Sequence, residues 1–157
     1  MPRIGTSDLT VFPLALGGNV FGWTADEQTS HRVLDAYTAA GGDFVDTADV
    51  YSAWAPGNSG GESERVIGSW FRASGKRDDV VIATKVSQHP EFQGLSASNV
   101  AAAARASLER LGTDRIDLYY AHFDDESTPL RQSWEAPSNV FGSGSEIVPS
   151  VPLISTK

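Results

Sequence analysis

The sequence contains no cysteine, which excludes disulfides and thiolate metal sites and leaves the redox compartment open. Basic residues are also few: 12 Lys and Arg stand against 20 Asp and Glu, a formal net charge of -8. That balance argues against a nucleic-acid partner or a broad contact with an anionic membrane. No stretch approaches the roughly 20 consecutive apolar residues that span a bilayer. The start, MPRIGTSDLTVF, lacks the basic-then-apolar order of a secretory signal, so a cytoplasmic location is the default expectation. What remains is a chain of 157 residues, enough to bury roughly 68 to 70 % of its unfolded surface in one core.

Turn chemistry at Gly5, Ser7 and Asp8 predicts a small hairpin between Arg3-Ile4 and Leu9 to Phe12. A short buried strand is expected at Leu14 to Leu16, stopped by Gly17 and Gly18. Val33, Leu34, Tyr37 and Ala40 recur at helical spacing, which predicts a helix from Asp26 to Ala40 that ends at Gly41-Gly42. Phe44, Val45 and Asp46 read as the next strand. A second helix is expected from Glu62 to Ala73, with Val66, Ile67, Trp70 and Phe71 on its apolar side and acidic residues in its first turn. Val80 to Val86 is a nearly continuous apolar run, as a parallel strand covered on both faces requires. A third helix begins near Ser96 or Ser98 and ends at Gly112, and Ile116 to His122 supplies a fourth core strand. The alternation of strands and helices predicts an α/β fold with parallel strands joined by right-handed crossovers.

The regularity stops near Pro129. Arg131 to Ala136 has room for one or two helical turns before Pro137, which costs roughly 3 kcal/mol in a helix interior. Beyond it, Pro149, Pro152 and the run Gly142 to Ser145 read as an irregular or disordered tail. A short extended segment at Glu146 to Val148, or pairing of Val151 to Ile154 on a strand edge, is the structured alternative. The domain division is therefore residues 1–130 and a divergent tail at 131–157.

Four residues carry chemistry at strand ends, where α/β folds place ligands. Asp46 closes Phe44-Val45-Asp46, and Tyr51 stands five residues beyond it. Lys85 closes VVIATK, and His122 closes IDLYYAH. Each alone has an ordinary reading: a turn aspartate, a packing phenol, a lysine reaching to solvent, a neutral hydrogen-bonded histidine. Together their roles are complementary. A phenol with an ordinary pKa near 10 needs a cation beside it to donate a proton near neutrality. An ammonium held by a carboxylate supplies that cation, and an imidazole can bind a carbonyl oxygen. A divalent-metal reading of the His122 to Glu126 cluster, HFDDE, finds no second histidine at suitable spacing, and no metal is expected.

The motifs FVDTADVYS, GGESERVIGSWF, VVIATKV and SLERLGTDRIDLYYAH resemble those of the aldo/keto reductase family, and the likeness runs from Arg3 to about Leu130. The resemblance implies the N-terminal part of a TIM-type (β/α)8 barrel, about the first four strand-helix units, preceded by a β-hairpin. It implies NADPH or NADH as cofactor and an aldehyde or ketone as substrate. By the family pattern Asp46 and Lys85 support the proton donor Tyr51, and His122 binds and polarises the carbonyl. Gly17, Gly18, Asn19 and Asp46 would approach the nicotinamide, and Phe21, Trp23 and Trp54 are candidates for the substrate pocket. No G-x-G-x-x-G run between strand and helix is present or needed.

A complete barrel typically takes about 250 residues, and the later strands of the family pattern have no counterpart here. The tail is accordingly expected to reflect truncation or an out-of-frame continuation near Arg131, with little or no independent reductase activity. The competing expectation is a noncatalytic half-barrel that self-associates through an exposed sheet edge after His122.

Overall fold

The computed structural model describes residues 1–129 and the strand Glu146–Ile147. Its centre is a parallel sheet. Strand β1 is Leu16–Gly17, β2 is Phe44–Asp46 and β3 is Val81–Val86; β4 (Gln88–His89) and β5 (Phe92–Gln93) form a separate antiparallel hairpin. Strand β6 is Leu118–Ala121 and β7 is Glu146–Ile147. The main sheet runs β1-β2-β3-β6-β7, with every pairing parallel. Helices α1 (Glu27–Ala39), α2 (Glu62–Ser74) and α3 (Ala97–Leu111) supply the first three crossovers, and α2 packs against both α1 and α3. This is the succession of units that begins a β/α barrel.

Local chemistry sets the helix ends. The Asp26 carboxylate accepts from the Thr29 amide at 2.8 Å and starts α1. Glu62 accepts from the Ser59 and Gly60 amides, both at 2.9 Å, where the helix dipole favours a carboxylate. The Ser96 hydroxyl caps α3, which settles the choice between Ser96 and Ser98. Gly75 and Gly112 end α2 and α3 in left-handed conformation, as a C-terminal glycine permits.

The core lies between sheet and helices and includes Leu34, Val45, Ile67, Trp70, Ile82 and Ile116. Tyr37 joins α1 to the strands: its hydroxyl donates toward the Leu14 and Phe44 carbonyls at 2.5 and 3.0 Å.

Several boundaries differ from the sequence reading. The first strand is Leu16–Gly17, and Leu14 is 65 % exposed. Pairing with Val45 and Asp46 sets that register, and the apolar run does not. The N-terminal hairpin is reduced to one antiparallel bridge between Arg3 and Thr10. The hairpin β4–β5 was not foreseen. The sheet edge after His122 is covered over two residues by β7, which pairs Leu118 with Glu146 and Tyr119 with Ile147, within the segment named above as an extended alternative. The expected helical turns at Arg131 to Ala136 and the pairing of Val151 to Ile154 lie outside the described residues, as does the rest of the tail. Among the described residues no helix is long and apolar enough to cross a membrane.

Candidate active site

Parallel pairing of β2, β3 and β6 brings Asp46, Lys85 and Tyr120 to one end of the sheet; Lys85 is the direct partner of Tyr120. The turn after β2 then carries Tyr51 back over them. Ser52 holds that turn: it adopts a φ of 69°, in the left-handed region, and is buried. Its hydroxyl donates to the Phe21 carbonyl at 2.8 Å, and its own carbonyl accepts from the Asn58 amide group at 3.0 Å. A non-glycine residue keeps this backbone only where its surroundings fix it.

The Lys85 ammonium is 6 % exposed as a residue and donates all three of its protons. Its acceptors are Asp46 Oδ2 at 2.7 Å, the Thr47 carbonyl at 2.7 Å and the Tyr51 hydroxyl at 2.8 Å. Three donors against three acceptors fix the cation in place. It also lies 4.5 Å from the Tyr51 ring centroid and 5.2 Å from that of Tyr120, within cation–π range. Among the described residues the Tyr51 hydroxyl accepts from Lys85 and donates to none, so its proton is available to a ligand.

Asp46 is bound at both oxygens, by Lys85 at Oδ2 and by the Tyr120 hydroxyl at Oδ1. Burial, followed by the Asp46 charge, raises the Tyr120 phenol far above its ordinary range, which keeps it a donor. Sequence reasoning missed Tyr120. Strand alternation places it on the face of His122, two residues on, but two adjacent tyrosines give no sign of which one meets Asp46.

His122 lies beside Tyr51, with ring centroids 5.6 Å apart and planes at 78°. Burial, with the Lys85 charge second, lowers its pKa to about 4. The ring is therefore neutral at pH 7. Its Nδ1 is buried and has no hydrogen-bond partner among the described residues.

The other residues singled out in the sequence divide. Gly17 and Asn19 are exposed, and a Cβ added at Gly17 would meet nothing closer than the Asn19 side-chain oxygen at 3.9 Å. That surface is open to a ligand. Gly18 is different: a Cβ there would lie 2.8 Å from the Ser63 hydroxyl and 3.2 Å from the Phe21 ring, so close packing already accounts for the glycine. Phe21 is 1 % exposed and belongs to the core, which removes it from any pocket wall. Trp23 and Trp54 are about half exposed and meet edge to face at 5.6 Å, and Trp54 continues to Tyr51 at 6.2 Å. No grouping of three or more histidines and carboxylates that could hold a metal occurs among the described residues.

Asp49, three residues after Asp46, is fully buried. Neither of its oxygens has a hydrogen-bond partner among the described residues. Burial, followed by the nearby Glu64 charge, raises its pKa to about 7. Glu64 is also fully buried, but it is satisfied by Arg110 and by the Thr84 hydroxyl, each at 2.6 Å.

A family model described as the aldo/keto reductase family matches residues 13–144. An uncharacterized oxidoreductase, YrpG of Bacillus subtilis, is 37 % identical over 150 residues, covering 90 % of this chain and 45 % of the relative. An uncharacterized 11.2 kDa protein of Pseudescherichia vulneris is 54 % identical over 93 residues, covering 59 % of this chain and 90 % of the relative. Among solved structures, the holo form of aldo-keto reductase AKR11C1 from Bacillus halodurans superposes with a TM-score of 0.72 at 33 % identity. That match covers 86 % of this chain and 44 % of the other. The chain thus spans about half the length of the Bacillus subtilis relative and of the solved structure.

Proposed function

Because the chain belongs to the aldo/keto reductase family and has the fold of a partial TIM barrel, we propose that its site serves the NADPH- or NADH-dependent reduction of an aldehyde or ketone to an alcohol. The observation that carries this reading is the Lys85 ammonium, held by Asp46 and hydrogen-bonded to a Tyr51 hydroxyl whose own proton is uncommitted.

When bound, a reduced nicotinamide would supply the hydride for the carbonyl carbon. Tyr51 gives its proton to the carbonyl oxygen as negative charge builds there. The phenolate left behind is stabilised by Lys85, 2.8 Å away, and Asp46 balances the ammonium. His122, neutral at pH 7, offers a ring N–H to the same carbonyl oxygen without a competing charge. Gly17, Gly18, Asn19 and Asp46 are the residues that would approach the nicotinamide side, Gly18 being closely packed beside Ser63 and Phe21 as well.

The described strand ends supply the proton-transfer groups, while hydride transfer also requires a fixed nicotinamide. An error of about 1 Å in placement costs on the order of a hundredfold in rate, so turnover by this chain alone is expected to be small. The test follows oxidation of NADPH and NADH with a panel of aldehydes and ketones, using the purified chain and Tyr51→Phe. Turnover that survives the substitution would overturn the reading.

A further inference from the structure

We propose that Tyr120 is a positioning residue for the Asp46–Lys85–Tyr51 group: its hydroxyl fixes the Asp46 carboxylate so that the Lys85 ammonium stays on the Tyr51 oxygen. Its catalytic meaning rests on the reading of Tyr51 as proton donor, but the geometry and the test below do not.

Three observations converge. The β3–β6 register sets Lys85 directly opposite Tyr120, so backbone pairing brings the phenol to the ammonium. The Tyr120 hydroxyl donates to Asp46 Oδ1, across 74 positions of sequence, while Lys85 binds Oδ2. The ammonium lies between two phenol rings, 4.5 Å from the centroid of Tyr51 and 5.2 Å from that of Tyr120.

A carboxylate with one bound oxygen can turn about its Cβ–Cγ bond and offer either oxygen to a cation. Binding Oδ1 removes that freedom and leaves Oδ2 as the single acceptor for Lys85. The same hydrogen bond also withdraws charge from Asp46. Without it Asp46 would attract Lys85 more strongly, and the ammonium would act less on the Tyr51 oxygen. The other ionisable groups near this centre are His122 beyond β6 and Asp49 in the turn after β2. His122 feels both Lys85 and Asp46, and Asp49 feels Lys85. Neither is hydrogen-bonded to Asp46 among the described residues, so neither substitutes for Tyr120.

The test is an alkaline absorbance titration of tyrosinate in the full 157-residue chain, needing neither nicotinamide nor carbonyl compound. In each background the Tyr51 contribution is isolated by subtracting the curve of the same chain with Tyr51→Phe added. In Tyr120→Phe, which keeps the ring beside the ammonium and removes only the hydroxyl, the midpoint of that contribution is expected to move upward. In an Asp46→Asn background the same substitution is expected to cause no further movement, because the intermediary is gone. An unmoved midpoint in a folded Tyr120→Phe chain, or an equal movement in both backgrounds, would overturn the proposal. A second measurement covers a Tyr120→Phe chain that does not fold. In the unsubstituted chain the Tyr120 hydroxyl proton should give a downfield, slowly exchanging NMR resonance that disappears in Asp46→Asn; its absence from the unsubstituted chain would contradict the hydrogen bond itself. A chain with no reductase activity still answers both questions, so failure here is separable from failure of the proposed function.

Discussion

The Lys85 ammonium and the Tyr51 hydroxyl, 34 positions apart in sequence, meet at 2.8 Å with the cation donating. Neither local structure alone produces that contact: Lys85 is the fifth residue of β3, and Tyr51 sits in a turn whose backbone is held at Ser52. Lys85→Met keeps most of the side-chain volume and removes the charge. It leaves the Tyr51 hydroxyl without its hydrogen-bond donor and Asp46 without its ion pair. Urea denaturation is expected to show a loss on the order of 3 kcal/mol, the usual range for breaking a largely buried pair from one side.

Asp49 gives a stability prediction with an unusual sign. Its carboxyl has a folded pKa of about 7 against an ordinary 3.8. Between those values the folded chain holds a proton that the unfolded chain has released, so this group lowers stability as pH rises from about 4 to 7. Asp49→Asn removes the titration. The variant is expected to match the parent near pH 4 and to exceed it at pH 8 by on the order of 4 kcal/mol, at about 1.4 kcal/mol per unit. Denaturant midpoints across that range measure the difference.

His122 acts in the opposite direction over an overlapping window. Its folded pKa of about 4 lies below the ordinary 6.5, so the unfolded chain binds a proton first and stability falls as pH drops from about 6.5 toward 4. In the parent chain the His122 and Asp49 slopes oppose each other. His122→Gln is expected to expose the Asp49 slope, with stability rising more steeply on acidification than in the parent.

Gly68 tests the packing of α2 on the end of α3. Alanine is the better helix former by about 1 kcal/mol, yet a Cβ at position 68 would fall on the Arg110 carbonyl and within 2.8 Å of the Leu111 backbone. Backbone cannot swing aside as a flexible side chain can. Gly68→Ala is expected to destabilise by about 1 to 3 kcal/mol net, measured by thermal or urea unfolding.

The sequence made β2 and β3 legible because both are short, largely apolar runs with a charged residue at the end of β2 and next to the end of β3, and α2 legible because Val66, Ile67, Trp70 and Phe71 mark one face. It misplaced β1, where an edge strand of two residues takes its position from hydrogen bonds to β2 rather than from its own apolar content. The β4–β5 hairpin was hidden by its length, two residues on each side of a turn at Pro90 and Glu91. At the site, residue type and strand-end position singled out Asp46, Tyr51, Lys85 and His122. The Asp46–Tyr120 contact depends on β3–β6 register, and the burial of Phe21 depends on a turn that closes over the core. Neither is written in local pattern.

The account depends most directly on Tyr51 as the proton donor of a carbonyl reduction. The decisive measurement is the steady-state rate of NADPH and NADH oxidation by the 157-residue chain with aldehydes and ketones, compared with that of Tyr51→Phe. The account predicts slow turnover in the parent that falls by about a hundredfold or more in the variant, the usual contribution of a positioned general acid. Measurable turnover at equal rates in the two proteins would contradict it and assign Tyr51 and Lys85 a structural role.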